Sequence, residues 1–338
     1  MKGFSDQFER WDKKYVWHPF TQHYAWEREP TIIIHRAQGV YLHDIKGRKY
    51  IDGVSSLWVN IHGHNEDVLN KALKTQLSKV AHSTFLGLSH PSAILLAKEL
   101  ASLAPFGLVR AFFSDNGATA VEVALKMAFQ YWREVKKNRS PRNEFLAIKG
   151  SYHGDTIGSV SVGGIGQFHS KFKPLLFETH FAFPPSCVRC PYNKKGIRHR
   201  YRLGEPVSKP PQPGEKRPET GCRWQCLGDV EKILKKRAKK IAAAVIEPVV
   251  QAASGMTVMP PGYVRGFEKL CRKYQVLLIA DEVATGFGRT GALFASEQER
   301  VRPDFLCLAK GITGGYLPLA VTLTTNQIFK AFYGPIKE

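Results

Sequence analysis

No stretch of this 338-residue sequence approaches the roughly 20 consecutive apolar residues that a membrane-crossing helix needs, so no membrane partner is expected. The opening residues, MKGFSDQFERWDKK, carry charge throughout and hold no apolar core of a secretory leader; the cytoplasm is the expected location. No internal repeat is visible, which argues against a solenoid or a propeller. Acidic residues are scarce, 29 Asp and Glu against 49 Lys and Arg, for a net charge of +20. That balance would suit nucleic acid, but the basic residues are spread widely and no recognised nucleic-acid motif accompanies them, so no nucleic-acid partner is expected. What is present is 43% hydrophobic residues, enough at this length to bury a full α/β core with room for a small second lobe.

Along the chain, residues 1–64 form an N-terminal segment with a hairpin signal. Residues 31–34 and 40–42 flank one turn, and Asp44-Ile45-Lys46-Gly47 supplies another. From about residue 65 to 328, apolar runs alternate with helical stretches. That is the pattern of a mostly parallel sheet covered by helices, leaving residues 329–338 as the start of a further part.

Four segments carry chemistry. In residues 304–317, DFLCLAKGITGGYL, a lone lysine ends an apolar run and meets a glycine-rich turn. Lys310 is therefore a candidate Schiff-base lysine: a dry setting lowers its pKa, and only the neutral amine attacks an aldehyde. In residues 276–291, VLLIADEVATGFGRTG, five apolar residues run without alternation into Asp281. Such a run reads as a strand buried on both faces, with Asp281 at its carboxyl end where open α/β sheets bind ligands. A buried carboxylate there needs a cationic partner, which a protonated pyridine nitrogen would supply; the plainer reading is a helix N-cap.

Residues 110–132 pass from an aromatic strand through Asp115-Asn116-Gly117 into a helix, with Val121, Leu125 and Ala128 at helical spacing. The turn offers backbone amides to a phosphate, and Gly117 and Ala118 allow close approach. Residues 150–164, GSYHGDTIGSVSVGG, follow a strand at 145–148 and carry Tyr152 and His153 between glycines. An aromatic ring on such a loop could cover a flat heteroaromatic cofactor.

Residues 187–226 break the α/β rhythm, with ten Lys and Arg against three Glu and six prolines. This composition cannot bury a core of its own. Cys187-x-x-Cys190 and Cys222-x-x-x-Cys226 bracket it, and four thiolates at these spacings could hold a structural zinc ion; free or redox-paired thiols in a surface insertion are the alternative. Cys271 and Cys307 lie in apolar surroundings and read as inert core residues.

The order of phosphate turn, aromatic loop, buried carboxylate and lysine resembles the class III, or ω-amino-acid, aminotransferases. The resemblance implies a fold-type I pyridoxal 5'-phosphate-dependent transferase, acting on small-molecule substrates as a homodimer with a shared active site. It implies that Gly117 and Ala118 hold the phosphate and Tyr152 stacks on the ring. Asp281 pairs with the ring nitrogen, Lys310 forms the Schiff base, and Glu247 in AAAVIEPVVQ is an acid nearby. The words WHPFTQ (residues 17–22) and DGVSSLWVNIHGHN (residues 52–65) resemble the branch that aminates 8-amino-7-oxononanoate for biotin, by ping-pong exchange through pyridoxamine phosphate. Phe20, Leu57 and Trp58 are then the substrate-binding aromatic and apolar walls. That branch's S-adenosylmethionine users carry Tyr at position 20 and Trp at position 57, so lysine is a second candidate donor. The family's C-terminal domain would follow residue 338, and the chain is expected to lack most of it. Another class III ω-amine enzyme, or a basic cysteine-rich binding module, are the alternative readings.

Overall fold

The computed structural model describes residues 2–105, 107–137, 139–187, 190 and 224–334. The chain divides into two units, Met1–Leu88 with Gly314–Tyr316, and Ser89–Thr313 with Leu317–Glu338.

The first unit carries the helix Lys2–Tyr15 and an antiparallel sheet of strands β1 (Ile34–Gln38), β2 (Tyr41–Asp44) and β3 (Lys49–Ile51), in that order. The β2–β3 turn is closed by Asp44. Its Oδ1 accepts from the amides of Lys46 and Arg48 at 3.0 and 2.8 Å, and its Oδ2 from Arg48 Nε at 2.6 Å and the Tyr50 hydroxyl at 3.0 Å. Burial raises this carboxyl, but these donors outweigh it and hold it at about 2. The sequence placed the first strand at 31–34; the ladder instead begins at Ile34, and the Thr31 amide is given to Glu9 Oε1 at 3.1 Å.

In the second unit the strands are β4 (Leu108–Ser114), β5 (Glu144–Ile148), β6 (Thr179–Ala182), β7 (Ile241–Ile246), the short pair β8 (Val250–Gln251) and β9 (Thr257–Val258), β10 (Leu277–Asp281), β11 (Phe305–Leu308) and β12 (Ala320–Thr325). Among the described residues seven of them form one sheet in the order β4-β12-β11-β10-β7-β5-β6. β12 runs antiparallel to both its neighbours and every other pairing is parallel. The central strands are continuous apolar runs because helices cover both faces. Along β7, Ala243 and Val245 pack with Val121, Ala124 and Leu125 of the helix Gly117–Val135. Ala244 and Ile246 point the other way, to Leu234 of the helix Gln225–Arg237 and Phe267 of the helix Tyr263–Lys273. Each such fully buried Leu or Phe contributes roughly 1.5–3 kcal/mol. The alanines at 120, 124 and 128 let the first helix lie close on the sheet, and Trp132 Nε1 pins its far end by donating to Ala242 O at 2.8 Å.

Candidate active site

Five strands that share one direction, β4, β5, β7, β10 and β11, deliver the sequence-predicted cofactor residues to their carboxyl edge. Beyond β4, Asn116 caps the helix Gly117–Val135. Its Oδ1 accepts from Thr119 N at 3.0 Å while Thr119 Oγ1 accepts from Asn116 N at 3.1 Å. The amides of Gly117 and Ala118, in the first turn, have no intrahelical acceptor, and the helix dipole favours an anion there. The space is tight. A β-carbon on Gly117 would stand 2.6 Å from Val283 Cγ1.

The loop after β5 brings Tyr152 and His153. Tyr152 donates its amide to Glu247 Oε1 at 3.0 Å and its hydroxyl to Asp155 Oδ2 at 2.5 Å; burial and Asp155 hold that phenol above its ordinary value. The ring stands 6.4 Å from the His169 ring, 19° from parallel. Glu247 follows β7 directly and takes a second amide, from Ala252, at 3.0 Å. Its burial raises the carboxyl to about 7, against the pull of His153 and the two amides.

Asp281, the last residue of β10, is only 4% exposed. Its Oδ1 accepts from the Val283 amide at 3.0 Å and its Oδ2 meets His153 Nδ1 at 2.6 Å. Glu282, beside it, turns away and staples the segment at 295–296 through the Ala295 amide (2.6 Å), the Ser296 amide (2.8 Å) and the Ser296 hydroxyl (2.6 Å). Lys310 stands two residues past β11, half-buried, with φ of +48°. Burial pushes its ammonium below the ordinary value and Arg289 adds to that push, while Asp281 and Glu247 pull the other way. A lysine so placed reaches its neutral, nucleophilic form more easily than one in water.

These groups fit pyridoxal phosphate. The glycine-floored helix start suits a phosphate, the buried Asp281 suits a protonated ring nitrogen, and the desolvated Lys310 suits an aldehyde. Gly117, Ala118, Tyr152, Glu247, Asp281 and Lys310 are all held by the second unit. Phe20, Leu57 and Trp58 belong to the first unit. There Ser55, Ser56, Leu57 and Trp58 form a left-handed turn, with φ of 51°, 47°, 65° and 66°. L-residues resist that conformation by roughly 1–2 kcal/mol each. Asp52 holds the turn through the Ser56 amide (2.9 Å), the Ser56 hydroxyl (2.8 Å) and His64 Nε2 (2.8 Å). Phe20 also has a positive φ, 51°. Strain of this kind concentrates at working sites.

Of the cysteines expected to hold zinc, Cys187, Cys190 and Cys226 are half-buried, while Cys222 lies outside the described residues. Cys271 and Cys307 are fully buried, as expected of core thiols. Among the described residues Glu144, Glu178 and His180 could converge on a metal ion. Glu144 is already balanced by Arg237 and Lys240 at 3.5 and 3.7 Å.

A mainly parallel sheet flanked by helices, with Asp281 and Lys310 at the carboxyl ends of neighbouring strands β10 and β11, defines a fold-type I pyridoxal phosphate-dependent transferase. The family described as aminotransferase class-III matches residues 23–335, and the chain belongs to that family. It is 50% identical over 330 residues to the adenosylmethionine-8-amino-7-oxononanoate aminotransferase of Aquifex aeolicus, covering 98% of this chain and 67% of that one. The crystal structure of the enzyme of the same name from Methanocaldococcus jannaschii superposes with a TM-score of 0.84 at 40% identity, over 97% of this chain and 67% of that one. A PLP-bound amine transaminase from an uncultivated Pseudomonas species gives 0.80 at 38% identity, over 94% and 66%. The chain thus spans about two thirds of the length of these relatives.

Proposed function

We propose that this chain aminates 8-amino-7-oxononanoate to 7,8-diaminononanoate, a step of biotin synthesis, with S-adenosylmethionine as the amino donor. The carrying observation is Lys310, a desolvated amine at the end of β11 within the field of Asp281 and Glu247. The names of relatives up to 50% identical supply the substrate. Pyridoxal phosphate, when bound, supplies the aldehyde that takes up the amino group and a ring that accepts the electrons released at the substrate carbon.

The chain's own residues do the rest. The Gly117 and Ala118 amides would hold the phosphate. Asp281 keeps a proton on the ring nitrogen, because a buried carboxylate is best balanced by a cation at that point. Tyr152 covers the ring and excludes water. Lys310, whose burial favours the neutral amine, would take the proton from the substrate carbon and hold it for return. Phe20, Leu57 and Trp58 recognise the apolar chain of the keto acid, a role supported by their place in the N-terminal words and the strain they carry. The working form is a homodimer sharing its active sites, in the cytoplasm; light scattering on the eluting protein checks the dimer.

Phe at position 20 and Leu at position 57 lack the tyrosine hydroxyl and the indole of that branch's S-adenosylmethionine users, which keeps lysine as the second candidate donor. The purified chain is given pyridoxal phosphate and its visible absorption recorded before and after each donor, with 8-amino-7-oxononanoate then added and the product identified by mass. A band bleached by S-adenosylmethionine, with diaminononanoate formed, is the expected result. Bleaching by lysine alone would replace the donor. A band bleached only by unrelated ω-amines would overturn the substrate.

A further inference from the structure

The short helix Ile157–Val162 follows the loop of Tyr152, and its N-cap residue is Thr156. Threonine is a favoured cap, because its hydroxyl can accept from an amide of the first turn. Here it does not. The Thr156 hydroxyl donates to Ser159 Oγ at 3.0 Å, and the Ser159 hydroxyl donates onward to Ala118 O at 3.1 Å. The amides of Gly158 and Ser159, one of which a local cap would satisfy, go instead to Glu122 Oε1 at 2.7 and 3.2 Å. Glu122 stands 36 residues before Gly158, one turn past Ala118 on the helix Gly117–Val135.

Capping alone does not call for this arrangement. A Thr156 hydroxyl turned to the first-turn amides would serve without help from another helix. A carboxylate brought from the helix Gly117–Val135 adds what a local cap cannot, because it fixes one helix start against the other. Two polar links run between them: Glu122 to the Gly158 and Ser159 amides, and the fully buried Ser159 to the Ala118 carbonyl. A side chain on Gly158 would break the first, since its β-carbon would run into the Glu122 carboxylate. Tyr152 stands at the other end of the same loop, held through its amide by Glu247 and through its hydroxyl by Asp155.

We propose that Glu122 is a positioning residue that sets the Tyr152 loop against the Gly117–Ala118 helix start, so that one cofactor molecule meets both at once. The proposal rests on the reading of Gly117 and Ala118 as holders of the phosphate and of Tyr152 as the cover of the ring. Glu122 itself takes part in neither contact. Its loss should therefore be felt by a ligand that spans both parts and not by one that needs only the helix start; a misplacement of about 1 Å between groups that act together can cost roughly 100-fold.

The test compares Glu122→Ala, which removes the acceptor, with Glu122→Gln, whose side-chain oxygen can still take the same amides. Both are titrated with pyridoxal phosphate, followed by visible absorption, and with inorganic phosphate, followed by phosphorus NMR. Glu122→Ala is expected to bind pyridoxal phosphate about tenfold more weakly or worse, with its affinity for inorganic phosphate within about twofold of the parent, and Glu122→Gln to recover most of the loss. Three results would overturn the role of Glu122: unchanged pyridoxal phosphate affinity in Glu122→Ala, an equal loss for both ligands, or a Glu122→Gln no better than Glu122→Ala. No pyridoxal phosphate binding by the parent chain would instead overturn the reading of the site, and the proposal with it. Should Glu122→Ala fail to fold, Ser159→Ala carries the test, since it keeps the Glu122 cap and cuts the link to Ala118. Weaker binding of pyridoxal phosphate with inorganic phosphate unchanged is then expected, and parental affinity for pyridoxal phosphate would overturn the proposal.

Discussion

Gly154 lies so close to Ala118 that a β-carbon on it would stand 2.4 Å from the Ala118 β-carbon, and its φ of +117° is one that L-residues rarely adopt. The loop after β5 and the start of the helix Gly117–Val135 therefore touch through a residue with no side chain. Gly154→Ala should push the two apart and strain the loop at once. We expect a loss of about 1–3 kcal/mol in stability and a larger loss of cofactor affinity, read by thermal melts with and without pyridoxal phosphate.

Lys310 should be separable from the fold. Its side chain is held near Asp281 and Glu247 by charge, and it makes up none of the apolar core. Lys310→Ala is expected to melt close to the parent yet to show no protein-bound visible band with pyridoxal phosphate. A band of parental intensity in Lys310→Ala would move the nucleophile elsewhere.

Glu247 and Glu282 are both raised by burial to about 7. A carboxyl raised in the folded state keeps its proton longer than in the unfolded chain. Between roughly pH 4.5 and 7 the folded state thus binds more protons and stability falls as pH rises. Each full shift corresponds to roughly 3 kcal/mol. Glu247→Gln, neutral at all pH, should flatten part of that decline, which denaturant unfolding at a series of pH values would show.

Asp44 works in the opposite sense. Held at about 2 by Arg48, the turn amides and Tyr50, it stabilises its turn above the ordinary carboxyl range, and that contribution disappears as pH falls through 2. Asp44→Asn should weaken the β2–β3 turn at pH 7 and remove this part of the acid dependence. Hydrogen exchange at the amides of Lys46 and Arg48 is the direct readout.

Much of the second unit was legible because its signals are local. The apolar run at 276–280 lies within one residue of β10, and the capped start at Asn116-Gly117 marks the helix that follows. The carboxyl-edge placement of Asp281 and Lys310 also follows from short runs ending in a polar residue. The antiparallel direction of β12 was not legible, since AVTLTT reads the same either way. Nor was the contact of His153 with Asp281: the residue is visible in its loop, but nothing in the sequence sets it against a carboxylate 128 positions on. The left-handed turn at Ser55–Trp58 has no glycine to announce it; it is held by Asp52 and His64, a tertiary arrangement that propensity cannot see.

The order β4-β12-β11 has a consequence for how the molecule is made. Among the described residues β4 pairs only with β12, so the first strand of the second unit's sheet to leave the ribosome must wait for β12 before it has a neighbour. More than 200 residues of chain are synthesised in between, and a pairing of such long sequence separation forms slowly. The turn at Asp115–Gly117 hangs from β4, so its place beside the loop after β5 is settled late in the chain's emergence. During that interval the exposed edge of β12's future slot, between β4 and β11, is the surface on which chaperones would have the most reason to act.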